Sequence, residues 1–313
     1  MNLTGRLDSF SGTFTKNFIT FALGLIINCI NGFFVHIYFK SQVFQRDPRY
    51  VLYIHLVIND IIMLTACVML HILTYSVPLG FGTCHVLLLI GIITNKNSPL
   101  NLAGMAIERY ISVCRPLHHT QICTVRRTYA LIGLIWAISS ISALTDVFIV
   151  LVKRPMLVFS KGVICHSTSL YNTPENKAHR VVVQVVTLSF VFLTVIITYL
   201  KVFFAARVAS TATKDSARKV RSTILLHGVQ LLICMLSYVA PFFNLLAIHL
   251  PASRNNIYFS SFLVTNVLPR LLSPLIYGVR DQRFSSHIKL YFSCKCCKAK
   301  KVKQVPQVHT RFK

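Results

Sequence analysis

The run Met105-Ala106-Ile107-Glu108-Arg109-Tyr110 places an acid, a base and a tyrosine at the foot of a long apolar segment. Such charges are costly in hydrocarbon, so they belong at its cytoplasmic edge or against other helices. A carboxylate beside a guanidinium there forms a pair that can break and re-form, which is what a switch requires. Asp60, Lys96, Asp146 and Arg270 also fall inside apolar stretches. An unpaired Arg270 guanidinium in hydrocarbon would seek an anion, and Asp60 is the obvious partner; the alternative is snorkelling to a watery cavity. Lys96 reads as a mid-membrane ammonium without a neighbouring acid. It could bind a ligand carboxylate or sulfate, or else lie depressed towards neutrality or bonded to helix carbonyls. No enzymatic constellation emerges, and no metal or other cofactor is implied. His118-His119 adjoin a loop with no carboxylate or cysteine at metal-ligand spacing and read as solvated loop residues. There is no P-loop and no glycine-rich dinucleotide fingerprint.

The elements that hold these residues are membrane spans. Of 313 residues 54% are hydrophobic and only 13% charged, whereas a soluble domain carries about 25% charged residues. The net charge of +25 could suggest nucleic acid, but in so apolar a chain it points to loops beside anionic lipid. A bilayer-crossing helix needs about 20 mostly apolar residues. Seven stretches qualify, at 18–39, 51–75, 85–108, 128–151, 180–204, 222–248 and 257–278. The third is interrupted by Asn95-Lys96-Asn97-Ser98-Pro99, which is tolerated only where it faces protein or a watery cavity. The expected fold is an all-α integral membrane protein, a seven-transmembrane helix bundle with a short amphipathic C-terminal helix. Residues 1–17 form an outer N-terminus without a cleavable signal, 18–278 the bundle, and 279–313 an inner amphipathic helix and basic tail.

Lys and Arg set the orientation. One side carries Lys40, Arg46, Arg49, Arg109, Arg115, Arg126, Arg127, the basic 201–221 segment and the tail from Arg280. The other side is poorer in them, apart from the long 152–180 loop, which weighs less in the rule. The N-terminus is therefore outside and the tail inside. Asn2 then lies in an acceptor triplet for glycosylation on the outer side. Cys84 and Cys165 are the two outer cysteines, in an oxidising compartment, so a disulfide is expected; the alternative is two free thiols. Cys294, Cys296 and Cys297 follow a short helix in the basic tail, where acylation fits better than metal binding. In that tail Phe284, Ile288, Tyr291 and Phe292 share one face, as an interfacial helix requires.

The spacings from Cys84 to Arg109 and from Arg109 to Trp136 match those of class A G-protein-coupled receptors, which this chain resembles over nearly its whole length. Asp60 falls where that family keeps a buried acid. Leu272-Ser273-Pro274-Leu275-Ile276-Tyr277 is close to the family's NPxxY. Three segments are similar to odorant receptors, particularly the fish type. Asp47-Pro48-Arg49-Tyr50-Val51-Leu52-Tyr53 is similar to PMYFFL. The run Met105 to Leu117 is similar to MAYDRYVAICxPL, and Pro274 to Arg280 is similar to PLIYSLR. Two departures stand out: Ser273 replaces the motif's Asn, and Ser98 lies where mammalian odorant receptors often carry a second acid for sodium. An Asp60–Arg270 pair would then take the place of the sodium site.

The resemblance implies an odorant receptor that binds a small-molecule odorant from outside and activates a heterotrimeric, stimulatory olfactory-type G protein, raising cyclic AMP. Its place would be the plasma membrane, with the lipid bilayer as a further partner and no nucleic acid. Glu108 and Arg109 would hold the closed form beside Tyr110, with Tyr199 and Tyr277 receiving Arg109 in the open form. Pro241, Pro269 and Pro274 would let helices bend. A pocket between the outer helix halves would draw on Ile92, Asn95, Lys96, Gln184, Thr187, Tyr238, Phe242 and Asn266. The alternatives are a non-olfactory class A receptor and a transporter or channel using Asp60, Lys96, Asp146 and Arg270 as a charge pathway. Against the latter, seven spans without an internal repeat give no matching halves.

Overall fold

The computed structural model describes residues 10–76, 80–153, 170–171, 173–210, 233, 243, 254–280 and 284–286. Among them there is no strand. The chain is a helical bundle: α1 (Phe10–Lys40), α2 (Gln42–Gln45), α3 (Pro48–Ser76), α4 (Phe81–Cys114), α5 (Pro116–Ile122), α6 (Val125–Lys153) and α7 (Pro174–Ser210). These are followed by α8 (Arg254–Phe262), a π-helical turn (Leu263–Val267) and α9 (Leu268–Arg280), which together make one continuous helix. Five of these helical stretches are long and apolar enough to cross a membrane: Phe14–Lys40, Pro48–Leu73, Val125–Lys153, Pro174–Ala205 and Asn256–Ile276. The expected sixth span, 222–248, lies outside the described residues except for Ile233 and Phe243.

α4 fails the same hydropathy test because of its Asn95-Lys96-Asn97-Ser98-Pro99 stretch, and it is the hub of the bundle. It packs against α3, α5, α6 and α7. The expected interruption is not a break: the helix runs through Pro99 without ending. The polar stretch is covered by protein, with Asn97 and Ser98 buried. Asn59 of α3 donates to the Thr94 carbonyl (2.8 Å) and to Ser98 Oγ (3.1 Å), and Asn97 donates back to Asn59 Oδ1 (3.2 Å). These bonds satisfy polar groups that lipid could not. The lipid-side pattern is the reverse. α6 and α7 leave large apolar side chains such as Leu144, Phe148, Val186 and Leu193 exposed, the solvent there being hydrocarbon.

The seventh span bends where the sequence withholds a donor. Pro269 has no N–H for the Thr265 carbonyl, and the Leu268 N–H bonds instead to the Leu263 carbonyl, one residue further back than in an α-helix. Thr265 Oγ1 also donates to the Ser261 carbonyl at 2.8 Å. Such π-turns rotate the residues that follow relative to those before, and here Arg270 follows. Gly278 lets this helix approach α1 and α3, because a Cβ there would stand 3.0 Å from Phe34 Cε1.

The tail corrects one expectation. Phe284 does not join a lipid-facing stripe; it is fully buried. Its ring packs against Phe34 (5.9 Å), Phe44 (5.2 Å), Tyr50 (6.3 Å) and Tyr53 (5.6 Å). The spacing of apolar residues shows a face but not what covers it, and the aromatic base of α1–α3 covers Phe284. Ile288, Tyr291, Phe292, Cys294, Cys296 and Cys297 lie outside the described residues, as does Asn2.

Candidate functional site: a buried ion pair and an inner lock

α3 and the seventh span bring two lone charges together in the middle of the bundle. Arg270 Nε lies 3.3 Å from Asp60 Oδ1, and both side chains are 2% exposed. The guanidinium also donates to Asn95 Oδ1 (3.2 Å) and to Met63 Sδ (3.2 Å from Nε). Ser98 Oγ, at 3.5 Å, reaches the same Asp60 oxygen. Two neighbouring bonds fasten the backbone of this helix: Asn31 donates to the Arg270 carbonyl (3.4 Å) and Tyr53 to the Pro274 carbonyl (3.1 Å). Pro274 lacks an N–H, which leaves the Arg270 carbonyl without its helical donor, and Asn31 supplies one from outside. A buried pair survives only with this surrounding set of hydrogen bonds.

At the foot of α4 the geometry is looser. Glu108 is buried, with His119 Nε2 at 3.1 Å, Arg109 Nε at 3.9 Å and Arg49 Nε at 4.0 Å. Two guanidinium groups from α3 and α4 and an imidazole from α5 therefore converge on one carboxylate. His119 is a correction to its reading as a solvated loop residue. Arg115-Pro116 starts α5 with proline at its first position, where its missing N–H costs nothing, and the short helix returns His119 to Glu108. Cys123, which ends α5, lies close enough for Glu108 to act on it. Burial and then the Glu108 charge push the Cys123 thiol above its ordinary value, with Arg127 opposing. Tyr110 stands against Lys201, whose Nζ is 5.4 Å from the ring centre. Tyr199 is half-buried beside Ala103, Ala106, Val191 and Val195. The side chains of Ser273 and Tyr277 lie outside the described set, although their backbone continues α9.

The expected pocket residues are only partly gathered. Ile92 packs beneath Cys84, Leu88, Val150, Leu170 and Tyr171. Asn95 is engaged by Arg270. Lys96 points the other way, to α6, donating to Ser142 Oγ at 2.6 Å. It is not without an acid: Asp146, one turn further along α6, is within electrostatic range. Thr187 is half-buried but Gln184 is exposed. Asn266, just before Arg270 on the π-turn, bonds to Thr265 Oγ1 (2.9 Å). Tyr238 and Phe242 lie outside the described residues. Cys84 is disulfide-bonded; Cys165, its expected partner, also lies outside them.

Sequence reasoning missed several partners. One is the chain Trp136 Nε1 to His55 Nε2 (2.9 Å) and His55 Nδ1 to Asn101 Oδ1 (3.2 Å), tying α6, α3 and α4 together. Another is Asp146, fully buried, with His179 Nδ1 at 2.8 Å and Arg180 Nε at 3.3 Å. Thr173 caps α7, its Oγ1 accepting from the Asn176 N–H at 3.2 Å, and so sets where His179 and Arg180 fall. The signal available for the second group was an acid inside the fourth span facing two cations at the start of the fifth.

The arrangement holds two ion clusters, one pair sealed inside and one carboxylate with several partners at the foot of α4. Odorant receptor 131-2 of Danio rerio is 29% identical over 284 residues, covering 89% of this chain and 86% of that protein. Olfactory receptor 1J21 of Mus musculus is 25% identical over 80% of this chain and 82% of its own. Motilin receptor of Homo sapiens reaches 35% identity, but over only 25% of this chain and 20% of its own length. The profile described as 7 transmembrane receptor (rhodopsin family) matches residues 30–277. The chain is thus a multi-pass membrane protein and not an enzyme; it belongs to the rhodopsin family of seven-transmembrane receptors.

Proposed function

We propose that this chain is an odorant receptor that binds small molecules from outside and activates a stimulatory olfactory-type G protein, raising cyclic AMP. The observation that carries this reading is its similarity to Odorant receptor 131-2 along almost the whole length of both chains. The match to a relative not named as olfactory, Motilin receptor, covers a quarter of the chain. In this reading residues 1–17 are extracellular, 18–278 span the plasma membrane and 279–313 are cytoplasmic.

The mechanism follows from the inner lock. A receptor needs two packings of its bundle, and a ligand shifts the balance only by binding one of them better. Glu108 held by Arg49, Arg109 and His119 favours the closed packing. Opening frees Arg109, which Tyr199 and Tyr277 receive. The Asp60–Arg270 pair fills the place where a sodium ion would otherwise neutralise the buried acid, so sodium should not modulate agonist binding.

The test is cyclic AMP in cells expressing the chain with an olfactory-type G protein, challenged with odorants, amino acids and bile salts. An Arg109→Ala version matched for surface expression runs beside it. A response that requires Arg109 is expected. A response indifferent to Arg109, or ion flux without any G-protein response, would contradict the reading.

A further inference from the structure

A second charged cluster, near the Cys84 end of the bundle, has no part in the lock. Its centre is Asp146 on α6, whose oxygens are fully engaged. Oδ1 takes His179 Nδ1 (2.8 Å), and Oδ2 takes Arg180 Nε (3.3 Å). The Asn176 amide, oriented to satisfy both its ends, donates to Oδ1 as well (3.2 Å). Lys96 of α4 approaches the same α6 face, bonded to Ser142, and feels both Asp146 and Arg180. Lys96 and Arg180 thus draw on one carboxylate that His179 and Asn176 also occupy. Two donors are buried with no acceptor: Arg180 Nη2, and Ser139 Oγ, three residues from Ser142 on the same face of α6. A buried donor without an acceptor is costly, more so on a charged group.

The remaining neighbours orient the guanidinium rather than neutralise it. Tyr171 stacks under Arg180, 4.4 Å from Cζ to the ring centre. Burial pushes the Tyr171 phenol up to about 12, so it stays protonated and can donate to His85 Nε2, 3.2 Å away. What the cluster lacks is a negatively charged acceptor between Lys96 and Arg180. We propose that this is the ligand site, and that it takes a small organic anion, a carboxylate or a sulfonate, held between Lys96 Nζ and the free edge of the Arg180 guanidinium. Asp146 acts as a positioning residue that fixes Arg180 and His179. The inference rests on the small-molecule receptor reading and names its ligand class.

The test uses the purified full chain in lipid nanodiscs. Its melting temperature is followed with carboxylates and sulfonates on phenylalkyl and linear alkyl chains, each matched by the alcohol and the amine of the same skeleton. The anions should raise the melting temperature beyond their alcohols, and the amines should not raise it. Lys96→Gln leaves the Asp146–Arg180 pair intact, so it is the variant that folds most safely. It should weaken anion affinity by about tenfold, the loss of one charge-assisted bond, and leave the alcohols unchanged. Arg180→Lys should weaken sulfonates and carboxylates less than Arg180→Gln does. Equal stabilisation by anions and alcohols, no stabilisation by any anion, or an anion preference that survives Lys96→Gln would overturn the proposal. The melting shift needs no G protein. Anion binding with silent cyclic AMP would therefore count against signalling alone, and cyclic AMP driven only by neutral odorants would count against the anion site alone.

Discussion

The Asp60–Arg270 pair and the Glu108 lock use the same chemistry under opposite conditions. The first is sealed, with both partners 2% exposed and further ligands on every side. The second has one short contact, two near 4 Å, and cations that are 15–28% exposed. Breaking a sealed pair strands a charge in a dry place, whereas breaking the lock hands its charges to water or to another partner. In the proposed mechanism the first is a pin at the middle of the bundle and the second a latch at its foot. Removing the pin should cost folding, and removing the latch should cost silence.

The sharpest way to break this contrast is Arg270→Met, which leaves Asp60 buried without its counter-charge. We expect a loss of about 3–5 kcal/mol, read as a collapse of surface expression and of melting temperature in nanodiscs. Pairing it with Asp60→Leu should recover most of the loss, since an apolar pair of similar volume often replaces a buried ion pair at little cost. A double variant as unstable as the single one would show that the pin matters for more than its charge. Next in size is Glu108→Gln. It should fold like the parent but raise basal cyclic AMP roughly 5- to 30-fold, the factor that about 1–2 kcal/mol commands.

His119→Gln removes only the short contact of the latch, one hydrogen bond whose net contribution is about 1 kcal/mol. Basal signalling should rise by no more than a few-fold, and a rise as large as that of Glu108→Gln would make His119 the true latch. The smallest effect is a report on the latch by its neighbour. The Cys123 thiol is raised by burial and by Glu108, so it stays protonated and alkylates slowly at neutral pH. In Glu108→Gln one of the two upward pushes is gone. The pH profile of Cys123 alkylation should then shift to lower pH, with faster labelling near neutrality. A profile that does not move would mean that Glu108 is not what raises the thiol.

How much of this could be read from the sequence depended on how few partners each charge had. Asp60 and Arg270 are isolated ions in apolar spans, so each had essentially one place to go, and the seventh helix delivers it. Glu108-Arg109-Tyr110 was legible as a unit because adjacency in sequence guarantees proximity. Arg49 and His119 were not, since each comes from another helix and neither has a local pattern that names Glu108. The Asp146 cluster escaped for the same reason: its members sit on α6 and α7, 33 residues apart at the closest charged contact. Lys96 looked unpartnered along the chain, yet α6 brings Ser142 and Asp146 to it across the bundle. Phe284 shows the complementary limit. Its spacing revealed an apolar face, but only the arrangement of Phe34, Phe44, Tyr50 and Tyr53 decides that Phe284 itself meets protein rather than lipid.

The direct trial of pin and latch is basal cyclic AMP, at matched surface density, in cells carrying the parent chain, Glu108→Gln, or the Asp60→Leu/Arg270→Met pair. The account predicts that Glu108→Gln signals without ligand while the double variant stays near the parent. Constitutive signalling from the double variant with Glu108→Gln silent would reverse the assignment and contradict it.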